Sequence, residues 1–281
     1  MSHINNIGFM QGRLSNIVDG KIQAFPWLSW QDEFIIACLN NFQYMEWTLD
    51  YDRLYDNPLM TLTGQREIIT LSDKYNLNIN TLTADCFMQA PFWIENGIEQ
   101  EIFLRNFQAI VSSCAAVGIR IIIFPLVDNS RLKNSQQEDS LVFFLQNQLN
   151  FLLKNNIKIA FETDLGPIEM ARFISRFESS QFGINYDIGN SAALGFNPSE
   201  EINSYGLRII NVHIKDRILG GTTVPLGEGN ADFNAVFTAL SGAAYGGIYI
   251  LQTARADYGF HDRVLCRYRD MAVNFLEQHA T

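Results

Sequence analysis

Short apolar stretches alternate along this chain with longer segments in which apolar residues recur every three or four positions. The short stretches are typical of buried strands, and the longer ones are typical of amphipathic helices. Eight strands are predicted, over residues 7–11, 42–48, 78–83, 120–126, 157–163, 182–187, 209–216 and 247–253. A helix is predicted after each, over residues 29–40, 64–75, 98–117, 138–155, 168–177, from about 198, and over 232–244 and 261–278.

Regular alternation of apolar strands with helices predicts a parallel sheet. Eight such units in 281 residues fit a closed (β/α)8 TIM barrel, an α/β fold, as a single domain over residues 1–281. The rival architecture is an open, doubly wound sheet, which usually has a glycine-rich phosphate loop after its first strand. Residues 11–15 read Gln-Gly-Arg-Leu-Ser and do not form such a loop, so we predict the barrel.

The composition narrows the classes of function. The net charge is −10 and no run of lysine or arginine occurs, which argues against a nucleic-acid partner. No apolar stretch is long enough to cross a membrane, and the N-terminus lacks the features of a secretion signal. The four cysteines form no CxxC pair, and Cys38 and Cys114 lie on apolar helix faces that we expect in the core. A reducing cytoplasm is therefore the expected location.

Ionisable residues stand at the ends of three consecutive predicted strands. Glu162, Asp187 and His213 end strands five, six and seven at matching depth. In a parallel barrel these ends converge on one rim, where two carboxylates and an imidazole suit one divalent ion, Mn²⁺, Co²⁺, Mg²⁺ or Zn²⁺. The alternative is that they are ordinary polar rim residues that pair with one another.

Six motifs carry a resemblance to a known family, in order along essentially the whole chain. They are residues 8–15 (GFMQGRLS), 46–48 (EWT), 161–163 (FET), 186–190 (YDIGN), 212–217 (VHIKDR) and 225–229 (PLGEG). The chain resembles the xylose isomerase-like TIM barrels, a superfamily of sugar phosphate isomerases and epimerases that also includes relatives of endonuclease IV. Because the superfamily hosts several chemistries, the resemblance is specific for the fold and weak for the substrate.

The resemblance implies one divalent metal ion held by residues from strands five to eight. Glu162, Asp187 and His213 match the first three ligands. The fourth is usually a glutamate, and the matching position here is Gln252. A glutamine can bind a metal through its amide oxygen, but it adds no negative charge and accepts no proton.

The resemblance also implies that the carboxylates from strands five and eight exchange protons with the substrate as a pair. Because Gln252 cannot take part, we expect one-base aldose–ketose isomerisation through an enediolate, or dehydratase chemistry, rather than epimerisation. Glu162 is the leading candidate for the base. Glu46, at the end of strand two, is the reserve, with a structural ion pair as its alternative role.

Several polar residues near the same rim are candidates for binding substrate. Arg13, Lys215, Arg217 and Arg255 would suit a phosphate or a carboxylate, or alternatively would balance the charge of nearby carboxylates. Gln11, Asn190 and Asp216 complete the predicted set. Four aromatic residues would form walls for a sugar ring or belong to the core: Trp27, Trp47, Phe87 and Trp93.

The leading hypothesis is a metal-dependent isomerase acting on a small sugar, polyol or sugar phosphate. One alternative is a sugar or polyol dehydratase or epimerase of the same superfamily. Another is a sugar-binding barrel without catalysis, because the usual fourth-ligand glutamate is Gln252. An endonuclease IV-type nuclease needs a cluster of histidines, and this chain has only four, His3, His213, His261 and His279. The resemblance further implies a homodimer or homotetramer.

Overall fold

A closed barrel of eight parallel strands forms the centre of the molecule. The computed structural model describes residues 6–279. The strands follow one another around the barrel in the order β1, β2, β3, β4, β5, β6, β7 and β10, and β10 pairs with β1 to close it. Their bounds are β1 Ile7–Met10, β2 Tyr44–Thr48, β3 Asn78–Thr83, β4 Ile121–Leu126, β5 Lys158–Thr163, β6 Phe182–Asp187, β7 Ile209–Ile214 and β10 Tyr249–Leu251. The predicted barrel is confirmed.

Helices surround the barrel, and two short strands form a ribbon in the loop after β7. The ribbon consists of β8 (Asp216–Arg217) and β9 (Thr223–Val224), which pair antiparallel. The helices are α1 Asp32–Leu39, α2 Leu62–Tyr75, α3 Asp85–Gln89, α4 Gln100–Val117, α5 Ser135–Asn147, α6 Leu149–Asn155, α7 Pro167–Ser175, α8 Ile188–Leu194, α9 Pro198–Tyr205, α10 Phe233–Gly242 and α11 His261–Gln278.

The core lies between the barrel wall and these helices, and aromatic rings fill much of it. Phe124 of β4 stacks on Phe87 of α3 with ring centroids 4.7 Å apart. Trp47 and Trp93 are also buried, with 0% and 6% of their surfaces exposed. Burial of such large rings is a main source of stability, so these residues are core rather than walls of a site open to solvent. Trp27 is partly buried against the same core.

Several predicted boundaries differ from those of the structure. Helix α1 begins at Asp32 rather than at residue 29, because the Ser29 hydroxyl donates to the Ser15 hydroxyl instead of capping the helix. The helix predicted over 138–155 is two helices that meet at Gln148. Helices α3 and α8 were not predicted, since each is short and begins directly after a strand.

The two cysteines predicted in the core have different environments. Cys114 is buried as predicted, whereas Cys38 is exposed, so the core prediction for Cys38 was wrong. Helix α1 buries Phe34 and Ala37. Each helical residue turns by about 100° from the last, so the residue after Ala37 points away from the packed face. All four cysteines are free thiols.

Within residues 6–279, no helix is both long and apolar enough to cross a membrane. Residues 1–5, which include His3 and the start of the N-terminal stretch predicted to lack a secretion signal, lie outside the described residues.

Asp216 anchors the glycine-rich loop that follows β7. Its carboxylate accepts hydrogen bonds from the backbone N–H groups of Gly227 and Gly229, each at 2.9 Å, and of Ala231, at 3.1 Å. A Cβ atom at Gly229 would lie 2.1 Å from the Asp216 carboxylate, so only glycine fits there. Asp216, predicted to bind substrate, is fully buried beneath this loop. Its predicted contact with substrate stays a prediction.

Replacing Asp216 by asparagine removes the charge and one of the two acceptor oxygens while keeping the size. We expect Asp216→Asn to lower the free energy of unfolding by about 2–4 kcal/mol, because hydrogen bonds to a buried carboxylate contribute about 1.5–3 kcal/mol each. Urea denaturation measures the change. Asp270→Asn, on the exposed side of α11, serves as the control and should change stability by less than about 0.5 kcal/mol. Equal effects in the two variants would contradict the anchoring role.

Candidate active site

Glu162, Asp187 and His213 meet at the mouth of the barrel. Each offers one potential ligand atom, and these three atoms lie within 4.8 Å of one another. The residues stand at the C-terminal ends of β5, β6 and β7, and Asp187 is the direct neighbour of His213 in the sheet. Their side chains are 8%, 2% and 0% exposed, so the cluster is shielded from bulk water.

The His213 ring is held between carboxylates on its two sides. Its Nε2 atom lies 2.8 Å from Glu46 Oε1. Its Nδ1 atom faces Glu162 Oε2 at 3.2 Å and Asp187 Oδ2 at 3.9 Å. Burial alone would lower the pKa of His213, but the surrounding carboxylates, Glu46 foremost, raise it well above its usual value. Nδ1 is therefore the nitrogen directed at the cluster, and Glu46 fixes the orientation of the ring.

Glu46 is completely buried. Besides His213, its carboxylate accepts hydrogen bonds from Thr83 Oγ1 at 2.6 Å and from Asn211 Nδ2 at 3.3 Å. A structural ion pair is the alternative role that the sequence predicts for Glu46, and the structure shows such a pairing with the imidazole of His213. Its role as a reserve base stays a prediction.

Two buried asparagines that the sequence analysis missed support the cluster from within the barrel. Asn185 donates to Glu162 Oε2 at 2.7 Å and lies 3.0 Å from His213 Nδ1. Asn211 donates to Asn185 Oδ1 at 2.8 Å. The sequence contained a signal for both asparagines. Each of them precedes a site residue by two positions, and alternate residues of a strand face the same side.

Asn190 and Arg217 orient the Glu162 carboxylate from the loop side. Asn190 donates its side-chain amide to Glu162 Oε1 at 2.8 Å, and its backbone N–H donates to Asp187 Oδ1 at 2.8 Å. Arg217 donates to Asn190 Oδ1 at 2.8 Å and, through Nη2, to the carbonyl oxygen of Gly221 at 2.7 Å. Since Arg217 occupies the amide oxygen, the NH₂ group of Asn190 must face Glu162.

Lys215 joins the cluster to Gln252. Its ammonium donates to Asp187 Oδ2 at 2.9 Å and to Gln252 Oε1 at 3.0 Å. Burial opposes ionisation of Asp187, but the Lys215 ammonium and the nearby His213 outweigh it and hold the pKa of Asp187 well below its usual range. Gln252 thus lies beside the cluster, as its alignment with the fourth ligand implies, with a cation between its oxygen and Asp187.

A hydrogen-bonded chain continues from Gln252 across the mouth. Gln252 Nε2 donates to Gln23 Oε1 at 3.1 Å, and Gln23 Nε2 donates to Asp85 Oδ2 at 2.7 Å. Gln23 belongs to the loop after β1, and Asp85 follows β3 directly. Neither residue was among the predicted site residues. Gln23 was missed because the path of a long loop leaves no periodic signal in the sequence.

Arg13 and Arg255 join the loop after β1 to the segment after β10. Arg13 donates to the carbonyl oxygens of Thr253 at 2.8 Å and of Ile22 at 3.1 Å. Arg255 donates to the carbonyl oxygens of Gly12 and Ser15. Burial and the charge of Arg255 lower the pKa of Arg13 to about 9. The structure gives both arginines a structural role, and their binding of a substrate anion stays a prediction.

Gln11 is fully buried at the end of β1. Its Oε1 atom accepts from the backbone N–H of Thr48 at 3.1 Å. Among the described residues, its Nε2 donor has no partner. A buried donor without a partner is costly, so a substrate oxygen is a group that would satisfy it.

The donor set fits a single divalent ion. Ligands within about 2.0–2.6 Å of one ion lie at most about 5 Å apart, and the three ligand atoms meet this limit. Two carboxylates and one imidazole are ligands that zinc, manganese and cobalt all accept. The arrangement can therefore hold one metal ion next to a carboxylate, Glu162, that is positioned by amide donors.

The sequence from residue 38 to residue 265 matches the family described as xylose isomerase-like TIM barrel. The chain belongs to this family, which confirms the resemblance on which the predictions rest. No curated protein sequence matches the chain significantly.

Solved structures with the same fold include three that bear on the site. The chain is similar to a xylose isomerase domain protein from Planctomyces limnophilus, with 15% identity, a TM-score of 0.75 and 98% of each chain covered. It is similar to the IOLI protein with a bound zinc atom, with 14% identity, a TM-score of 0.77 and coverage of 98% of this chain and 99% of that one. It is also similar to D-psicose 3-epimerase from Clostridium cellulolyticum in complex with D-tagatose, with 10% identity, a TM-score of 0.73 and coverage of 96% and 99%. At these identities the likeness establishes the fold.

Removing the Glu46 carboxylate leaves the His213 ring without its partner in the interior. We expect Glu46→Ala to lower the free energy of unfolding by about 3–5 kcal/mol, because breaking a buried charge pair leaves an uncompensated group. Glu67→Ala, on the exposed face of α2, is the control and should change stability by less than about 0.5 kcal/mol. Thermal and urea unfolding measure both. A loss below 1 kcal/mol for Glu46→Ala would show that His213 does not depend on this pairing.

Proposed function

We propose that this protein is a divalent-metal-dependent isomerase that interconverts the aldose and ketose forms of a sugar or sugar phosphate through an enediolate. The single observation that carries the proposal is the convergence of Glu162, Asp187 and His213 at the mouth of the barrel. Chemistry on barrels of this fold takes place at the C-terminal ends of the strands, which is where these residues meet.

Glu162, Asp187 and His213 would hold the metal ion, with Gln252 Oε1 as the candidate for a fourth ligand. When bound, the ion polarises the substrate carbonyl and stabilises the negative charge of the enediolate. Within Glu162, the Oε2 atom lies on the side of His213 Nδ1. Its Oε1 atom faces Asn190. Oε2 would therefore serve as the ligand and Oε1 as the base.

Glu162 would remove the proton from the carbon next to the carbonyl and return it to the neighbouring carbon. The amides of Asn185 and Asn190 hold its two oxygens in place, so the carboxylate needs little reorganisation during the transfer. Gln252 takes no proton, which restricts transfer to and from carbon to the face of the substrate that Glu162 reaches. The Lys215 ammonium adds positive charge beside the developing oxyanion.

A small polyhydroxylated substrate agrees with the polar groups around the mouth. Gln11 offers a buried donor that lacks a partner among the described residues, and Arg217 and Asn190 line the rim. The structure of D-psicose 3-epimerase, a related barrel, contains a sugar, D-tagatose. A sugar is therefore the substrate class that we propose.

One observation favours a second candidate, a sugar-binding barrel without catalysis. The Lys215 ammonium bridges Asp187 and Gln252, so an internal cation already occupies an oxygen of two of the four candidate ligands and neutralises the charge of Asp187. If Lys215 keeps this position in the presence of metal ions, the site binds sugar without polarising it. Metal binding and proton exchange distinguish the two candidates.

We expect the purified protein, stripped of metal and titrated with Mn²⁺ or Zn²⁺, to bind one ion per chain. Asp187→Asn removes a charged ligand and should weaken binding by at least about 100-fold, since even supporting residues of metal sites contribute about 10–100-fold. Isothermal titration calorimetry measures both affinities. Asp164→Asn is the matched control, because Asp164 is also an aspartate at the C-terminal end of a strand, directly after β5, but pairs with Arg131 outside the cluster. Equal affinities in the two variants would place the metal elsewhere, and an absence of binding would favour the non-catalytic barrel.

We expect the metal-loaded protein to exchange the proton α to the carbonyl of at least one pentose, hexose or sugar phosphate with D₂O and to form the aldose or ketose isomer. Glu162→Gln should reduce exchange by about 10²–10⁴-fold, the usual contribution of a general base. Glu169→Gln, on the exposed face of α7, should exchange like the unmodified protein. NMR of the sugar protons follows both reactions. An epimer as the main product would show that the amide at position 252 does not restrict the chemistry to one face.

A further inference from the structure

A second carboxyl group is tied to the candidate site across the barrel mouth. Asp85 follows β3, and a chain of three hydrogen bonds connects it through Gln23 and Gln252 to the Lys215 ammonium. The one-base scheme does not use Asp85. It lies half-buried at the mouth, so part of its surface is open to solvent.

The direction of these hydrogen bonds is fixed at the Lys215 end of the series. The Lys215 ammonium can only donate, so Gln252 presents its oxygen to Lys215 and its NH₂ group to Gln23. A metal ion in place of the ammonium would also bind the amide oxygen, so the orientation of Gln252 would stay the same. Gln23 must then accept with its oxygen and donate with its NH₂ group to Asp85. A glutamate at position 252 would reverse this order, because it would accept from Gln23 and turn the oxygen of Gln23 towards Asp85. The amide at position 252 therefore provides Asp85 Oδ2 with a donor.

Because Gln23 binds Oδ2, the other oxygen of Asp85 is available to a ligand. Among the described residues, no hydrogen bond reaches Asp85 Oδ1. A carboxyl group with one oxygen held and the other open at the mouth is positioned to transfer a proton. Gln252, by contrast, has both ends of its amide occupied and has no proton to exchange.

We propose that Asp85 is the second proton-transfer residue of the site and moves the hydroxyl proton between the two substrate oxygens, while Glu162 moves the carbon-bound proton. This inference rests on the proposed isomerase function and completes it. Aldose–ketose isomerisation needs both transfers, since a proton must leave one oxygen and another must reach its neighbour.

The charged groups around Asp85 support this role. Asp50, Glu162, Lys215 and Arg13 interact with it electrostatically from four separate elements. Burial and the charge of Asp50 raise the pKa of Asp85 to about 7, although the hydrogen bond from Gln23 acts in the opposite direction. A group that titrates near neutral pH both donates and accepts protons readily.

Four proton movements would convert the aldose to the ketose. Glu162 takes the proton from C2 of the aldose, the C–H electron pair forms the C1=C2 double bond, and the carbonyl electron pair moves to O1. Protonated Asp85 donates its proton to O1 and becomes a carboxylate. Asp85 then removes the proton from the O2 hydroxyl, an O2 electron pair forms the new C2=O2 carbonyl, and the C=C pair takes the proton from Glu162 at C1. Both side chains return to their starting states.

The test compares Asp85→Asn with Asp50→Asn, a matched aspartate at the end of the neighbouring strand. For each Mn²⁺-loaded variant, NMR in D₂O measures deuterium entry into recovered aldose and formation of ketose. In Asp85→Asn, we expect turnover to fall by about 100-fold, as for loss of a general acid–base group. Exchange should fall much less, because Glu162 still forms the enediolate and returns a deuteron to C2. The ratio of exchange to turnover should therefore rise at least tenfold, and in Asp50→Asn, measured at a pH below the alkaline limb of both proteins, it should stay as in the unmodified protein.

The dependence on pH provides the second readout. Because Asp85 must start protonated, turnover of the unmodified protein should fall as the pH rises through its pKa. Asp85→Asn should lose this alkaline limb. Asp50→Asn should move the limb to lower pH, since removal of a neighbouring negative charge favours ionisation of Asp85.

Three results would overturn the inference. If Asp85→Asn behaves like Asp50→Asn, Asp85 does not transfer protons. If Asp85→Asn binds Mn²⁺ normally but loses exchange and turnover equally, Asp85 acts before or during enediolate formation rather than between the oxygens. If the unmodified protein exchanges no sugar proton at all, the proposed isomerase function is wrong, and this inference is wrong with it. The third result is distinct from the first two, because in those the unmodified protein does exchange the sugar proton.

Discussion

The burial of three carboxylates around one imidazole is the constraint on which this structure depends. Glu46, Glu162 and Asp187 all lie next to His213 in a region shielded from water. Carboxylates repel one another strongly at such distances unless protons, cations or hydrogen-bond donors neutralise them. His213 and Lys215 supply positive charge. A bound divalent ion would take the place of the proton on His213 Nδ1 and bring a larger positive charge, which is the physical reason that the cluster suits a metal.

Neutral amides complete this balance from within the barrel. Asn185 and Asn211 occupy interior positions that an ordinary barrel would fill with apolar side chains. Each donates to a carboxylate without adding a charge that would need its own partner. The apolar rings outside the barrel, such as Phe124 and Phe161, provide the stability that allows so polar an interior.

The features that depend on the order of the strands could be predicted from the sequence, whereas few of the contacts that depend on the paths of loops could be. Apolar periodicity predicted the eight barrel strands and located Glu162, Asp187 and His213 at three neighbouring strand ends, and the resemblance matched them to metal ligands. Pairing between Gln23 and Asp85 could not be predicted, because it depends on how a long loop crosses the mouth. The contacts of Arg13 and Arg255 could not be predicted for a similar reason. Their partners are backbone carbonyl oxygens of loops, which no pattern of side chains reveals.

The contacts of these two arginines also bear on when the parts of the fold can form during synthesis of the chain. The bond from Arg13 to Thr253 joins residues 240 positions apart, and the bond from Arg255 to Gly12 spans 243 positions. Chains emerge from the ribosome N-terminus first. The loop after β1 therefore waits for almost the entire chain to be synthesised before it meets its partners. The two contacts that join this loop to the segment after β10 can thus form only when nearly the whole chain is present.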